Sequence, residues 1–182
     1  MYTYQKTNTY FAQHGDGMAE VVTDELAGLG MRSIRSGYRG VYFEAGRQGL
    51  YRVNYTSRTV TRVLAPILTF DCHSDRYLYK TALNIEWGDF LPVDGTFAVT
   101  ATVSHSAITH SRFAALRLKD AIVDWFRERS GSRPSVDTVD PRVSFNLHIQ
   151  NNRAVISLDT SGGSLHKRGY RTQANVAPIK ET

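Results

Sequence analysis

The sequence predicts an α+β fold of the α/β sandwich type, with small sheets covered by helices, and three observations carry that prediction. Apolar residues recur at helical spacing over 111–129, alternate at strand spacing over 96–103 and 144–150, and are punctuated by turns built on glycine and asparagine. The pattern also restarts after Asp71-Cys72-His73-Ser74-Asp75. One small domain is therefore expected over 1–70 and a second over 71–163, with 164–182 as a linker. At 182 residues and 41% hydrophobic content, the chain can bury a sizeable core as one domain or two small ones.

In the first half, Thr9-Tyr10-Phe11-Ala12 is a β-prone run. Gly15-Asp16-Gly17 then opens a helix marked by Met18, Val21, Val22, Glu25, Leu26 and Leu29, which Gly30 closes. A second strand is expected at 40–44, a helix at 49–55 and a third strand at 61–68. Pro66 favours an edge position or a bulge there, because it has no N–H to give a ladder.

In the second half, Ser74 or Asp75 can cap a helix through Tyr77, Leu78, Ala82 and Leu83. The segment 96–103 sets Phe97, Val99, Ala101 and Val103 on one face and small polar residues on the other, as a half-buried strand requires. Ser111 to Arg129 is an amphipathic helix with Ala114, Leu118, Ala121, Ile122 and Trp125 as its apolar stripe and Gly131 as its stop. Strands at 144–150 and 153–159 meet across Asn151-Asn152, a two-residue hairpin because asparagine tolerates positive φ.

Charge narrows the function. The net charge is +5 and the isoelectric point about 9.4, and 17 of the 22 basic residues are arginine, whose planar fork suits phosphate and base edges. Residues 32–62 hold Arg32, Arg35, Arg39, Arg47, Arg52, Arg58 and Arg62 against Glu44 alone, a candidate electrostatic footprint. Against this stands a reading in which several of them lie along apolar surface. Cys72 is the only cysteine, which excludes an internal disulfide framework and a multi-cysteine zinc cluster and fits a reducing cytoplasm. No apolar run approaches the roughly 20 residues of a membrane span, and the first residues are too polar for a signal peptide.

Catalytic motifs are missing: there is no His-Glu-x-x-His, no Cys-x-x-Cys, no phosphate-cradling or dinucleotide glycine loop and no Gly-x-Ser-x-Gly elbow. No catalytic, cofactor-binding or metal-binding residue is expected. Cys72 and His73 are neighbours on an extended segment and point to opposite faces, so their reading is structural. His105 and His110 lack a carboxylate or thiol at ligand spacing and are read as capping and surface groups.

The loop 104–112 is more telling, because it feeds a helix N-terminus where backbone N–H groups and the dipole favour an anion. Arg112, Arg117 and Lys119 begin that helix and Arg133 follows its end. Asp120, Asp124 and Glu128 could pair these cations instead, and pairing is the preferred reading for Arg127 and Arg129. The terminal stretch Ser164-Leu165-His166-Lys167-Arg168-Gly169-Tyr170-Arg171 combines cations for phosphate (Lys167, Arg168, Arg171) with His166 and Tyr170, which can stack on bases.

Several of these pieces also resemble a family. Thr9-Tyr10-Phe11-Ala12 with the helix Gly-Met-Ala-Glu-Val-Val-Thr-Asp-Glu-Leu, Gly-Val-Tyr-Phe-Glu, 57–64, Asp94-Gly95-Thr96-Phe97-Ala98-Val99, the helix from Phe113 to Asp124 and 164–171 are similar to one protein region. It is the N-terminal region of bacterial 23S rRNA guanine-N2 methyltransferases, the RlmL and YpsC group. The likeness spans nearly the whole chain. It implies a ferredoxin-like domain followed by a THUMP domain, a module that binds structured RNA, 23S rRNA in this group, and presents it to a fused catalytic domain.

That S-adenosylmethionine-dependent domain would follow Thr182, so the sequence is expected to be the N-terminal part of a longer cytoplasmic protein. The implied RNA contacts are Arg112, Arg117, Lys119 and Arg133 in the second domain and His166, Lys167, Arg168, Tyr170 and Arg171 at the exit, with Arg58 and Arg62 behind them. The exit motif could instead pack against the chain's own catalytic domain. A tRNA-modifying enzyme or a stand-alone RNA-binding adaptor would use the same module.

Overall fold

The computed structural model describes residues 1–167. They divide into two compact units, one formed by Met1–Pro66 with the segment from Asp159 onward, the other by Ile67–Leu158.

In the first unit, a short α1 (Thr3–Thr7) precedes β1 (Thr9–Gln13), α2 (Ala19–Gly28), β2 (Arg32–Gly37), β3 (Gly40–Glu44), α3 (Arg47–Thr56) and β4 (Arg62–Asp71). The strands lie in the order β2-β3-β1-β4 with every pair antiparallel, the ferredoxin-like arrangement that was expected. Alternate residues of the central strands, Tyr10 and Ala12 with Val41 and Phe43, are buried, as are Val63 and, from the helices, Val22, Leu26 and Val53. On the other side of β1 the Phe11 ring lies across Gly40, where an added Cβ would collide with the ring and with the Ala12 carbonyl oxygen.

Two elements of this unit had no sequence signal. The edge strand β2 contains one apolar residue, Ile34, and its register slips between Arg32 and Arg35, with Ser33 at φ 50°. Its pairing with β3 makes it a strand, and Arg35 lies 5.1 Å from the centre of the Tyr42 ring. The five-residue helix α1 buries no residue. Pro66, expected at an edge or a bulge, is buried in β4 at the edge of this unit's sheet. It fits because the β1 ladder stops at Leu64, opposite Phe11, so the missing N–H breaks no bond there.

In the second unit come α4 (Asp75–Ala82), a 3-10 turn (Trp87–Asp89), β5 (Thr96–Ser104), α5 (Ser111–Ser130), the short β6 (Ser135–Val136), β7 (Val143–Gln150) and β8 (Arg153–Asp159). The sheet order is β8-β7-β5-β6, and the end of β4 lies beside β8, where Cys72 N–H donates to the Asn152 carbonyl at 2.5 Å. β5 and β7 are parallel, with α5 as the crossover. β7 and β8 form the expected hairpin, with Asn151 at φ 50° and Asn152 at φ 59°. Fully buried Phe145 has Trp87, Phe90 and Phe97 around it at centroid distances of 5.0, 6.1 and 6.4 Å. Ser74 caps α4 by accepting from Tyr77 N–H, and Gly131 ends α5 in the left-handed region at φ 69°.

Candidate nucleic-acid interface

The cations of the second unit gather on and around α5, but their environments differ. Arg117 is half-buried: its Nε lies 3.4 Å from an Asp75 carboxylate oxygen and its guanidinium 4.7 Å from the centre of the Tyr79 ring. The same tyrosine donates its hydroxyl to Asp124 at 2.8 Å, and that bond, before burial and the nearby carboxylates, raises the phenol above its ordinary pKa. Arg127 completes the chain at 3.4 Å from Asp124. Asp75, Arg117, Tyr79, Asp124 and Arg127 thus form one network that fastens α4 to α5.

Lys119 is paired with Asp120, and Arg129 with Glu86 at 3.6 Å while its guanidinium stacks 4.2 Å from the Trp125 ring centre. Arg112 and Arg133 differ. Both are exposed, and neither has a carboxylate partner among the described residues. They stand at opposite ends of a helix roughly 30 Å long, too far apart for one phosphate but suited to separate points on an extended backbone. Lys119 lies two turns from Arg112 on the same face of α5.

The loop 105–110 before α5 is held by the hairpin turn. The Asn152 side-chain oxygen accepts from Ala107 N–H at 2.8 Å and from the Ser106 hydroxyl at 3.1 Å, and the Ser111 hydroxyl accepts from Val103 N–H at 3.2 Å. His110 occupies the N-cap without a side-chain cap, leaving the first turn of α5 to whatever anion approaches it. Asn152 is a residue that sequence reasoning used only as a turn former; its role as a clamp on this loop depends on a contact 45 residues away.

In the first unit, Arg62 is tied to Asp159, whose side chain is 3% exposed, while Arg58 is exposed. The backbone at Arg58 is fixed by an acceptor with no sequence signal, Glu25 of α2. Its carboxylate accepts from Arg58 N–H at 2.7 Å, from the Ser57 hydroxyl at 2.7 Å, from Thr59 N–H at 3.3 Å and from the Thr59 hydroxyl. Burial alone would raise the Glu25 pKa, but these bonds to the charged form outweigh it and hold the carboxyl below its ordinary value. Arg39 pairs with Asp16, and Arg52 donates to the Leu29 carbonyl at 3.2 Å.

At the exit, Leu165 N–H donates to the Thr61 carbonyl at 2.8 Å, and His166 Nδ1 lies 2.6 Å from the Ser164 hydroxyl. Lys167 is exposed. Arg168, Tyr170 and Arg171 lie outside the described residues. Cys72 is buried, and burial pushes its thiol pKa up, whereas His73 is exposed. Such a thiol is a poor nucleophile at neutral pH.

Comparison with known proteins follows the same division. The model of the RlmL ferredoxin-like domain matches residues 9–64, and the model of the THUMP domain matches residues 73–159. Ribosomal RNA large subunit methyltransferase K/L of Syntrophotalea carbinolica is 42% identical, covering 94% of this chain and 24% of that protein. The protein of the same name from Methylococcus capsulatus is 41% identical, covering 96% and 24%. A crystal structure from Listeria monocytogenes, described as a predicted N6-adenine-specific DNA methylase, superposes with a TM-score of 0.80 at 28% identity, covering 97% of this chain and 46% of that one. The chain thus spans about a quarter of the two K/L relatives and about half of the Listeria protein.

Proposed function

On the footing that the chain belongs to the proteins that join an RlmL ferredoxin-like domain to a THUMP domain, we propose that it is the RNA-recognition region of an S-adenosylmethionine-dependent rRNA guanine-N2 methyltransferase. It anchors structured RNA, 23S rRNA in this reading, while a further C-terminal domain carries out methyl transfer. What supports the reading is the order of the two matched domains together with the K/L relatives that share 41–42% identity over nearly all of this chain. The sequence has no glycine-rich cofactor loop, so no step of methyl transfer is assigned to its residues.

The chain's own part is positioning. An RNA helix hides its base edges in a deep, narrow groove, so recognition falls on phosphates, 2′-hydroxyls and shape. Arg112 and Arg133 lead the contact set, because no carboxylate competes for them among the described residues. Lys167 and Arg58 follow, then Arg168, Tyr170, Arg171 and His166. Lys119, Arg117 and Arg62 come last, since each already has an ion-pair partner within its own unit.

The test is binding of the 182-residue chain to a structured rRNA hairpin and to duplex DNA of equal length, titrated across salt. Preference for RNA, with affinity falling steeply as salt rises, is expected. Duplex DNA is the necessary competitor because the Listeria neighbour is described as a predicted DNA methylase; equal binding to both duplexes sinks the reading.

A further inference from the structure

We propose that the outer face of α3 is a second, separate RNA contact, and that it takes unpaired nucleotides instead of duplex. Resting on the reading that this chain binds RNA, the proposal names a surface and a substrate form that this reading does not. Helix α3, Arg47-Gln48-Gly49-Leu50-Tyr51-Arg52-Val53-Asn54-Tyr55-Thr56, contains no acidic residue, and Val53 is its one fully buried position. Arg47, Tyr51 and Tyr55 recur every four residues and therefore share one face. Arg58 follows in the turn that Glu25 holds.

Tyr51 is 61% exposed and Tyr55 83% exposed. Rings so far out of the core contribute little to folding, and each exposed ring has a π-face on which a base can stack. The Arg47 guanidinium sits 5.9 Å from the centre of the Tyr51 ring. An aromatic row flanked by Arg47 and Arg58, on a helix without an acidic residue, is the chemistry of a single-strand platform: bases stack on the rings and phosphates meet the guanidinium groups. A duplex offers no base faces to such a row. Unpaired nucleotides flanking a stem do.

The experiment compares a hairpin with the same hairpin carrying a short single-stranded extension, using the full chain and two double variants, Y51L/Y55L and Y51F/Y55F. Leucine keeps apolar bulk and removes the ring; phenylalanine keeps the ring. The extension is expected to tighten binding to the unaltered chain by about tenfold or more. Y51L/Y55L should lose that gain while holding the bare hairpin as before, and Y51F/Y55F should retain it. Equal affinity of the unaltered chain for the two RNAs overturns the proposal and leaves the hairpin reading intact. So does a leucine variant indistinguishable from the parent, the outcome expected if this face meets another protein. Loss of binding to the bare hairpin in the leucine variant overturns it as well, and failure of the unaltered chain to bind either RNA removes the parent reading and this one together.

Discussion

Helices α5 and α3 are both basic, yet they use their cations in opposite ways. On α5 the cations are interleaved with Asp120, Asp124 and Glu128, and Arg117, Lys119, Arg127 and Arg129 all pair with carboxylates, leaving Arg112 and the following Arg133 to solvent. On α3 no acid is present, Arg52 is spent on a carbonyl, and Arg47 lies against a tyrosine. A count of basic residues therefore overstates what α5 can offer an anion and describes α3 more fairly. Availability depends on which acids share the face.

The anchoring of the two helices differs just as much, and this gives the largest predicted effects. α5 buries Leu118, Ala121 and Ile122 completely, whereas α3 has Val53 alone. Ile122→Ala should cost about 2–5 kcal/mol in urea unfolding. Val53→Ala should cost less, about 1–3 kcal/mol; equal costs would show that α3 is held by more than its one buried side chain.

Acid should separate the two units next. Burial lowers the pKa of His148 on β7, outweighing a raising bond from Gln150, so the unfolded chain takes up that proton at higher pH than the folded one. The contribution to stability is whole above the ordinary histidine value of about 6.5 and fades as pH falls below it. For Glu25 the folded pKa is lowered, so its contribution is whole above the ordinary glutamate value, near 4.3, and is lost as pH falls toward the folded one. The second unit should thus begin to weaken at a higher pH than the first. In Glu25→Gln the first unit should be about 1–3 kcal/mol less stable at neutral pH, with the acid-dependent loss near pH 4 abolished. Per-residue amide exchange across pH reads both; a first unit that loosens before the second contradicts the assignment.

Smaller still is the effect on affinity. R112A/R133A should weaken hairpin binding about tenfold and flatten its salt dependence, with similar loss across RNA sequences. R127A/R129A should change binding little and stability by about 0–1 kcal/mol, because these are exposed ion pairs. Should the second pair of substitutions lose more affinity than the first, the ion pairs on α5 must open when RNA arrives.

How far the sequence reached can be judged element by element. The capped start of α4 at Ser74, the glycine stop of α5 and the Asn151-Asn152 hairpin were legible because each is decided by residues within one turn of each other. The ferredoxin-like and THUMP domains were legible as a resemblance carried by local motifs in a fixed order. Strand β2 was not, because a single isoleucine among arginines and serines has no strand periodicity until β3 offers its backbone.

The structure alone decided how side chains that are alike in sequence are spent. Arg117 and Arg112 are five residues apart on one helix, but only Arg117 stands within reach of Asp75 and Tyr79, which come from α4. Glu25 and the turn at 57–59 are more than thirty residues apart and meet through four hydrogen bonds. Periodicity, capping and turn chemistry are local and survive in a linear string. Pairing of charges, and hence which cations remain unpaired, is a property of distances in space, which the sequence specifies only by folding.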